Sequence, residues 1–284
     1  MAIRTVEQIE LKGKRVFIRV DFNVPLDEKN QITDDTRIVL SLPTIRFVME
    51  AGAKTILASH LGRPKGKKDP KFSLAPVAER LSQHLKKKVA LATDCIGEEV
   101  QKQIGKMNAG DVLLLENLRF HPEEEKNDES FSKVLASLCD VYINDAFGAA
   151  HRAHASTEGM TQYVKTLAAG FLMKKEIDSL DRALQNPQKP YVAILGEAKV
   201  SDKIGEIQNL LEKVDTLLIG GGMAYTFLKA EGFEVGKSLA ERDQIEFSGS
   251  LLKKAEGKIK FLLPSDHVAA EKMDAQAKRR IFAR

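Results

Sequence analysis

Short apolar runs alternate along the chain with longer amphipathic stretches. The runs are rich in branched side chains and are mostly followed by turn-forming or charged residues: Arg15–Val20, Lys54–Ala58, Asp111–Leu115, Val141–Ile143, Tyr191–Leu195, Thr216–Ile219 and Ile259–Leu263. Continuous apolar runs of this length are typical of strands that are covered on both faces. Helical spacing fills the intervals, as in Thr36–Glu50, where Pro43 predicts a kink, and in Ala75–Leu85. This alternation predicts parallel sheets with helices on both sides.

A break with two prolines at Asn186–Pro190 predicts a domain boundary. It follows Phe171–Leu184, whose spacing is helical, and a single helix there can join two domains and let them hinge. We therefore expect an N-terminal domain over residues 1–170, an interdomain helix over 171–186 and a C-terminal domain over 187–284. Because the last of these has three strand candidates and no closing element, we expect it to be incomplete, with an open sheet edge. The predicted fold class is α/β, with two doubly wound parallel-sheet domains joined by a helix.

Side chains that can bind an anion follow the predicted strands of the first domain. Ligands of open parallel sheets bind beyond the carboxyl ends of the strands, and cationic or imidazole groups collect there: Arg37, His60, Arg63, Arg119 and Arg152. Asp21 and Asn23 follow the first strand with a spacing of two, which places them on one face. Taken singly, each arginine is better explained as a surface ion-pair partner. Together they predict a site for a small, multiply charged anion, because guanidinium groups pair bidentately with phosphate and carboxylate.

Glycine and lysine residues follow two predicted strands in the second half of the chain: Gly196, Lys199, Lys203, Gly220, Gly221 and Gly222. Glycine lets backbone N–H groups approach a phosphate or a flat base, and lysine adds a mobile positive charge. Gly232–Ser238 has one residue too few between its glycines for a P-loop. Tyr225 stands where a dinucleotide-binding turn needs its third glycine. The sequence therefore predicts a nucleotide site of neither standard kind.

Composition and charge exclude several classes of protein. The 44 lysines and arginines against 40 acidic residues leave a net charge of +4. This excess is too small to indicate by itself a protein that binds nucleic acid through its overall positive charge. Cys95 and Cys139 form no CxxC motif and are expected to be free thiols in a reducing compartment. His151 and His154 lack further ligands at suitable spacing, so we expect no protein-held metal. No apolar stretch is long enough to span a membrane and no signal peptide is evident, which favours the cytoplasm.

Seven motifs of the chain resemble, in order, those of the phosphoglycerate kinase family. They are Val20–Pro25, Ser59–Gly66, Leu118–Phe120, Asn144–Phe147, His151–Ser156, Ala198–Ile204 and Gly220–Phe227. The resemblance covers essentially the whole chain, and seven motifs in the same order are highly specific where any one alone would not be.

The resemblance implies a monomeric glycolytic enzyme of two α/β domains facing a cleft. The N-terminal domain would bind 3-phosphoglycerate or 1,3-bisphosphoglycerate, and the C-terminal domain would bind ADP or ATP together with Mg²⁺. The implied reaction is reversible transfer of the acyl phosphate of 1,3-bisphosphoglycerate to ADP. By the same resemblance the protein's partners are these small molecules, with neither nucleic acid nor membrane.

The resemblance also assigns roles to individual residues. Asp21 and Asn23 would bind the hydroxyl and carboxyl region of the glycerate. The substrate phosphate would be held by four residues: His60, Arg63, Arg119 and Arg152. Two residues would be catalytic, Arg37 by stabilising the transferring phosphoryl group and Lys203 by meeting the nucleotide phosphates. The rest of the nucleotide site would comprise Gly196, Lys199, Gly220, Gly221 and Gly222, the last three flanking the adenine.

Two departures from the family pattern leave alternatives open. Glu197 stands where the family has glycine, so we expect its carboxylate to repel the nucleotide phosphates or to be captured by Lys199 or Lys203, and its Cβ to crowd the backbone. The alternative is a silent, solvated Glu197. The family also continues well past Arg284, which leaves a truncated, non-catalytic phosphoglycerate-binding fragment as a second hypothesis. A third, nucleic-acid binding, would use a set of basic residues, namely Lys65, Lys67, Lys68, Lys86, Lys87 and Lys88.

Overall fold

The computed structural model of the chain describes residues 3–185, 187–272 and 274–284. It divides into two compact units, one ending at Ser179 and one beginning at Leu180, so the division falls inside a helix, Phe171–Gln185. The helix predicted over Phe171–Leu184 is thus present, while Asn186, the last residue of the predicted interdomain helix, lies outside the described residues.

The strands include every apolar run that the sequence singled out. In chain order they are β1 Arg15–Arg19, β2 Lys54–Ala58, β3 Ala90–Leu91, β4 Val112–Leu114, β5 Val141–Asn144, β6 Thr166–Ala169, β7 Val192–Gly196, β8 Thr216–Gly220, β9 Lys260–Leu262, β10 Asp266–Ala270 and β11 Arg279–Ala283. Four of them, β3, β6, β10 and β11, were not predicted. These four are very short, built of small residues, or carry charged side chains, so no apolar run marks them.

The α-helices pack against these sheets. They are α1 Thr36–Glu50, α2 Ala75–Leu85, α3 Glu98–Gly105, α4 Pro122–Glu125, α5 Glu129–Ser137, α6 Phe147–Ala150, α7 Phe171–Gln185, α8 Ile204–Leu211, α9 Met223–Ala230 and α10 Ile245–Ala255. Helix α1 runs through Pro43 without a break. Short 3₁₀ turns cover Val6–Gln8, Pro70–Phe72, Leu118–Phe120, Gly159–Gln162, Ser201–Lys203 and Arg242–Gln244.

The first unit holds a six-stranded parallel sheet in the order β3-β4-β2-β1-β5-β6. Successive side chains of the central strand β1 point to opposite faces, so Val16 and Ile18 enter one apolar core and Phe17 enters a second. Both cores are closed by helices, which confirms the doubly wound α/β class for this unit. Because the strands are parallel, the loops that follow β1, β2, β4 and β5 all lie at one edge of the sheet.

The second unit holds a three-stranded parallel sheet, β7-β8-β9, and a separate antiparallel pair, β10 and β11. The three strands predicted for this unit are therefore confirmed, and their core is centred on Leu217, Phe227 and Leu251. The chain end, which was expected to carry no closing element, forms β11 over Arg279–Ala283, but this strand does not close the three-stranded sheet. Its pairing with β10 places it outside the three-stranded sheet.

Both cysteines are free, as the sequence predicted, and both are buried. Burial raises the pKa of the Cys139 thiol to about 12 and that of Cys95 well above its usual value, so neither is a reactive thiolate near neutral pH. Among the described residues, none of the helices combines the length and the apolar character needed to cross a bilayer.

Candidate functional site

The loops at the carboxyl edge of the six-stranded sheet bring together five basic or imidazole side chains, which we call the arginine–histidine cluster: Arg19, His60, Arg119, Arg152 and His154. Arg19 ends β1, and His60 follows β2. Arg119 lies in the 3₁₀ turn after β4, while Arg152 and His154 follow helix α6 beyond β5. Three members were predicted site residues; Arg19 and His154 were not.

His60 is the centre of the cluster. It is 8% exposed, and Nη2 of Arg19 lies 3.2 Å from its Nδ1. Burial, followed by the positive charges of Arg19, Arg119 and Arg152, lowers the pKa of His60 to about 2. The ring is therefore neutral at physiological pH, so His60 can contribute a hydrogen bond to an anion but no positive charge.

Arg119 is buried, and its guanidinium is held by the loop around it. Nη1 donates a hydrogen bond to the carbonyl oxygen of Gly62 at 2.9 Å, and Nε lies 3.2 Å from Oε1 of Glu125 in an ion pair without an aligned hydrogen bond. Burial lowers the pKa of Arg119, but a guanidinium stays charged at neutral pH. The cluster thus keeps a fixed positive charge close to a neutral imidazole.

Two predicted phosphate ligands lie nearer to solvent. Arg152 is exposed, its Nε lies 3.3 Å from Nε2 of His151, and its charge contributes to the low pKa of His60. Arg63 is also exposed, and it makes no hydrogen bond or ion pair with any residue that the structure describes. The structure therefore brings His60, Arg119 and Arg152 together, whereas Arg63 extends from the same loop without being tied to them.

The sequence missed a buried network on the inner side of this cluster. Nε of Arg19 donates to Oγ of Ser156 at 2.9 Å, and that hydroxyl donates to Oε1 of Glu124 at 2.5 Å. Glu124 is fully buried. In the sequence it sits in a run of three glutamates, which is ordinarily read as a solvated helix start, and no local signal distinguishes the buried one.

Asp21, Asn23 and Arg37 form a second group beside β1. Arg37, in the first turn of α1, makes an ion pair with Asp21, and its side chain remains 50% exposed. Oδ1 of Asn23 accepts a hydrogen bond from the backbone N–H of Gly62 at 2.8 Å, which joins this group to the His60 loop. A guanidinium half in solvent at a helix start can reach a bound anion while its own carboxylate partner holds it.

In the second unit, two loops lie side by side: the first glycine loop, Gly196–Lys203, and the second glycine loop, Gly220–Met223. Gly196 and Gly220 are partners in the parallel register of β7 and β8. Gly221 has a φ of +66°, and a Cβ on it would lie 2.8 Å from the carbonyl oxygen of Glu197. The backbone N–H of Met223 donates to that same oxygen at 2.9 Å. The glycines therefore permit a backbone-to-backbone contact that a larger residue would prevent.

The first glycine loop presents two lysines and is fixed by an acidic residue. Lys199 is exposed, while the ammonium of Lys203 lies 3.4 Å from Oε1 of Glu206. Glu241 accepts hydrogen bonds from Ser201, at 2.6 Å from its hydroxyl and 3.1 Å from its backbone N–H. Glu241 was not predicted, because its position in the sequence gives no sign that it reaches this loop.

Glu197 is not captured by either lysine of its own loop. It is exposed, and no ion pair joins it to Lys199 or Lys203 within the described chain, since Lys203 pairs with Glu206 instead. A steric constraint between the two glycine loops is present at Gly221, where an added Cβ would crowd the backbone of Glu197.

Metal-ligating side chains do not gather at His151 and His154 in the described structure. One other group, Asp94, Cys95 and His121, has donor atoms within 4.8 Å of one another. Nε2 of His121 lies 2.6 Å from Oδ1 of Asp94, and this hydrogen bond is the main cause of the raised pKa of His121. An ion pair between His121 and Asp94 thus explains why these two side chains lie close together.

Comparison with known proteins gives one consistent family. The family model described as "Phosphoglycerate kinase" matches residues 6–283. The phosphoglycerate kinase of Anaeromyxobacter sp. (strain Fw109-5) is 58% identical over 282 residues, covering 98% of this chain and 71% of the relative. The cytosolic phosphoglycerate kinase of Triticum aestivum is 57% identical over 281 residues, covering 99% and 70%. The phosphoglycerate kinase structures from Coxiella burnetii (43% identity, TM-score 0.83) and Pyrococcus horikoshii OT3 (32%, 0.80) each cover 99% of this chain, which covers 71% of each.

Proposed function

Since the chain belongs to the phosphoglycerate kinase family, we propose that its arginine–histidine cluster binds the phosphate of 3-phosphoglycerate and its two glycine loops bind the nucleotide. The reaction is the reversible transfer of the acyl phosphate of 1,3-bisphosphoglycerate to ADP, a phosphotransfer step of glycolysis. The observation that carries the assignment of the first site is the set of charged guanidinium groups around a buried, neutral His60.

The charges of the first site favour a phosphate over other small ligands. Arg19, Arg119 and Arg152 carry three positive charges, and the carboxylates of Glu124 and Glu125 offset two of them. A phosphate group would be attracted by the remaining positive charge and would accept charge-assisted hydrogen bonds, with the neutral ring of His60 as a further donor. Arg63, exposed on the same loop, is proposed to close on the phosphate from the solvent side.

Asp21, Asn23 and Arg37 are proposed to hold the rest of the substrate. Asp21 and Asn23 offer oxygen and amide groups to the glycerate hydroxyl and carboxyl, and Arg37 would neutralise the transferring phosphoryl group. The attacking carboxylate of 3-phosphoglycerate is already ionised near pH 7, so the reaction needs no general base. Catalysis then rests on positioning and on neutralising charge, which is where phosphoryl transfer gains most of its rate.

The nucleotide site is proposed from backbone geometry more than from side chains. Gly196 and Gly221 leave exposed backbone beside β7 and β8, next to the half-buried Gly220 and Gly222, and a flat base can lie against it. Lys199 and Lys203 supply charge for the phosphates of the nucleotide. Lys203 would exchange its partner Glu206 for a phosphate oxygen.

Mg²⁺ fits this site as a companion of the nucleotide. It takes oxygen ligands and is usually held by substrate phosphates with one or two carboxylates, whereas the lysines of the first glycine loop offer none. In that loop Asp202 offers an exposed carboxylate, which would hold the ion beside the phosphates. When bound, Mg²⁺ supplies positive charge to the phosphate oxygens between which the phosphoryl group moves.

Calorimetric titration of the chain with 3-phosphoglycerate and with ADP tests the assignment. Arg152→Ala should weaken 3-phosphoglycerate binding by about 1–3 kcal/mol, the scale of one charged contact, and leave ADP binding unchanged. Arg46→Ala, an exposed arginine of α1 that contacts the carbonyl oxygen of His84, is the matched control and should change neither. Equal losses for both ligands would contradict the proposed division between the units, and a coupled kinase assay on the same samples separates turnover from binding alone.

The wheat relative is named cytosolic, and we propose the same compartment for this chain, where Cys95 and Cys139 stay free thiols. The monomeric state and the absence of nucleic-acid binding stay predictions. A flat dependence of any nucleic-acid affinity on salt would support the latter.

A further inference from the structure

A buried carboxylate lies on the inner side of the proposed phosphate site, where the reaction gives it no role. Glu124 belongs to the short helix α4 and is 0% exposed, although its neighbours Glu123 and Glu125 reach solvent. An ionised carboxylate in such a place is strongly unfavourable unless it is paired and hydrogen-bonded. The hydrogen-bond partners of Glu124 therefore indicate its role.

Both carboxylate oxygens of Glu124 are used by one residue. Oε2 accepts a hydrogen bond from the backbone N–H of Ser156 at 2.9 Å, and Oε1 accepts one from the Ser156 hydroxyl at 2.5 Å. The backbone carbonyl of Glu124 also accepts from the N–H of Ala155 at 2.9 Å. Helix α4 thereby fixes both the position of Ser156 and the direction in which its hydroxyl proton points.

That direction matters because the same hydroxyl has a second partner. Because the Ser156 hydroxyl donates its hydrogen bond to Glu124, the lone pairs of its Oγ are free to accept one from Nε of Arg19, 2.9 Å away. Arg19 is 1% exposed, and Nη2 of its guanidinium lies 3.2 Å from Nδ1 of His60. A continuous buried chain of contacts thus runs from Glu124 through Ser156 and Arg19 to His60.

The charges support the same connection. Burial raises the pKa of Glu124 overall, and the positive charges of Arg19 and Arg119 act against that rise by favouring the carboxylate. Without this carboxylate, the guanidinium groups around His60 would repel one another in a site shielded from water. Glu124 is the internal counter-charge that lets them stay close before any anion arrives.

We propose that Glu124 is a positioning residue for phosphoglycerate, which acts through the Ser156 hydroxyl to hold Arg19 and His60 in place for the substrate phosphate. This inference rests on the proposed function, in which the arginine–histidine cluster binds that phosphate. Glu124 itself need not touch the substrate. A merely structural carboxylate would stabilise the loop at Ala155–Ser156 without affecting ligand affinity.

The first test is Ser156→Ala, which removes the hydroxyl link and leaves every charge in place. We expect the dissociation constant for 3-phosphoglycerate to rise about tenfold, the scale of one hydrogen bond to a charged group, while that for ADP is unchanged. Glu129→Gln, an exposed glutamate of α5 paired with Lys133, is the control and should alter neither constant. An unchanged 3-phosphoglycerate constant in Ser156→Ala overturns the proposal.

Glu124→Gln provides a second test, because a charge role and a positioning role predict opposite changes in phosphate affinity. If the carboxylate acts only as a charge, neutralising it strengthens the positive site and tightens phosphate binding, which would overturn the proposal. If it positions Arg19, the same variant weakens binding. Circular dichroism shows whether each variant is folded, and either variant alone decides the question if the other fails to fold.

A double-mutant cycle separates positioning from general destabilisation. When Arg19 is already replaced by alanine, Ser156→Ala should have little further effect on 3-phosphoglycerate binding, because its target is gone; additive losses would contradict the route through Arg19. Failure of the proposed function has a different signature, namely no binding by the unmodified chain or no loss in Arg152→Ala. This inference alone is overturned if the unmodified chain binds 3-phosphoglycerate and Arg152→Ala weakens that binding, while the Ser156→Ala and Glu124→Gln variants bind it as tightly as the unmodified chain.

Discussion

Gly221→Ala tests whether the second unit owes its site to backbone contact. At this position φ is +66°, in the left-handed region that L-residues other than glycine adopt at a cost of about 1–2 kcal/mol. The added Cβ would also lie 2.8 Å from the carbonyl oxygen of Glu197 and 3.0 Å from its backbone nitrogen. These are backbone atoms, so the contact cannot be relieved by rotating a side chain.

The two effects can be separated by a matched glycine. Gly257 has a φ of +72°, and a Cβ there would meet no atom within 4 Å. Gly257→Ala therefore carries the conformational cost alone, reduced by about 0.4–1 kcal/mol because alanine restricts the unfolded chain. We expect it to lower the free energy of unfolding by about 1 kcal/mol or less. Gly221→Ala adds the cost of overpacking, about 1–3 kcal/mol more.

Urea unfolding followed by circular dichroism measures both variants, and calorimetric titration with ADP and 3-phosphoglycerate measures the sites. Gly221→Ala should move the two glycine loops apart and weaken ADP binding at least tenfold, while 3-phosphoglycerate binding stays normal because the residues proposed to bind it lie in the first unit. Gly257→Ala should leave both affinities unchanged. If the two variants lose the same stability, or if Gly221→Ala retains ADP affinity, the argument from close backbone approach is wrong.

Three further predictions concern charged groups. Arg37→Ala should lower kcat by about 10²–10³, as for one lost electrostatic contact in the transition state, with a much smaller effect on 3-phosphoglycerate affinity; a change confined to KM would make Arg37 a ground-state ligand instead. His60 should make the protein acid-sensitive: its pKa is about 2 in the fold and about 6.5 in the unfolded chain, so the unfolded state binds an extra proton as the pH drops below 6.5, and the free energy of unfolding decreases by about 1 kcal/mol from pH 6.5 to 5.5. His60→Asn should lose that slope between pH 6.5 and 5.5 in urea titrations, and parallel curves would disprove it. Glu197→Gly should tighten ADP binding about fivefold by removing an exposed like charge beside the phosphates, and an unchanged constant would show that Glu197 is silent.

Local patterning was sufficient where one apolar run makes one strand. Helix α1 and strand β2 have the predicted bounds, because the helical spacing of Thr36–Glu50 and the apolar run Lys54–Ala58 both end at residues of different character. Strand β3 has two residues after a run of lysines, and β11 begins with two arginines. Such strands exist because a neighbouring strand offers free backbone groups, which is information that no local window contains.

In the candidate site, too, some features could be predicted from the sequence and others depend on packing between residues that are distant along the chain. The positions of His60, Arg119 and Arg152 could be predicted, because topology alone carries the ends of parallel strands to one edge. The neutral state of His60 could not, since it depends on burial among arginines that are distant in the sequence. Glu124 and Ser156 are 32 residues apart, and their pairing depends on how α4 packs against the loop after α6.

The two proposed sites would bind an anionic ligand by different physical means. In the first unit, buried side chains set the charge, so a change of one hydroxyl or one carboxylate at Ser156 or Glu124 is expected to alter affinity while the backbone stays in place. In the second unit, the side chains are exposed and the loops are set by main-chain packing at Gly221, so steric changes there should matter more than changes of charge. Phosphoglycerate affinity should therefore respond to charge-changing variants, and nucleotide affinity to variants that add volume.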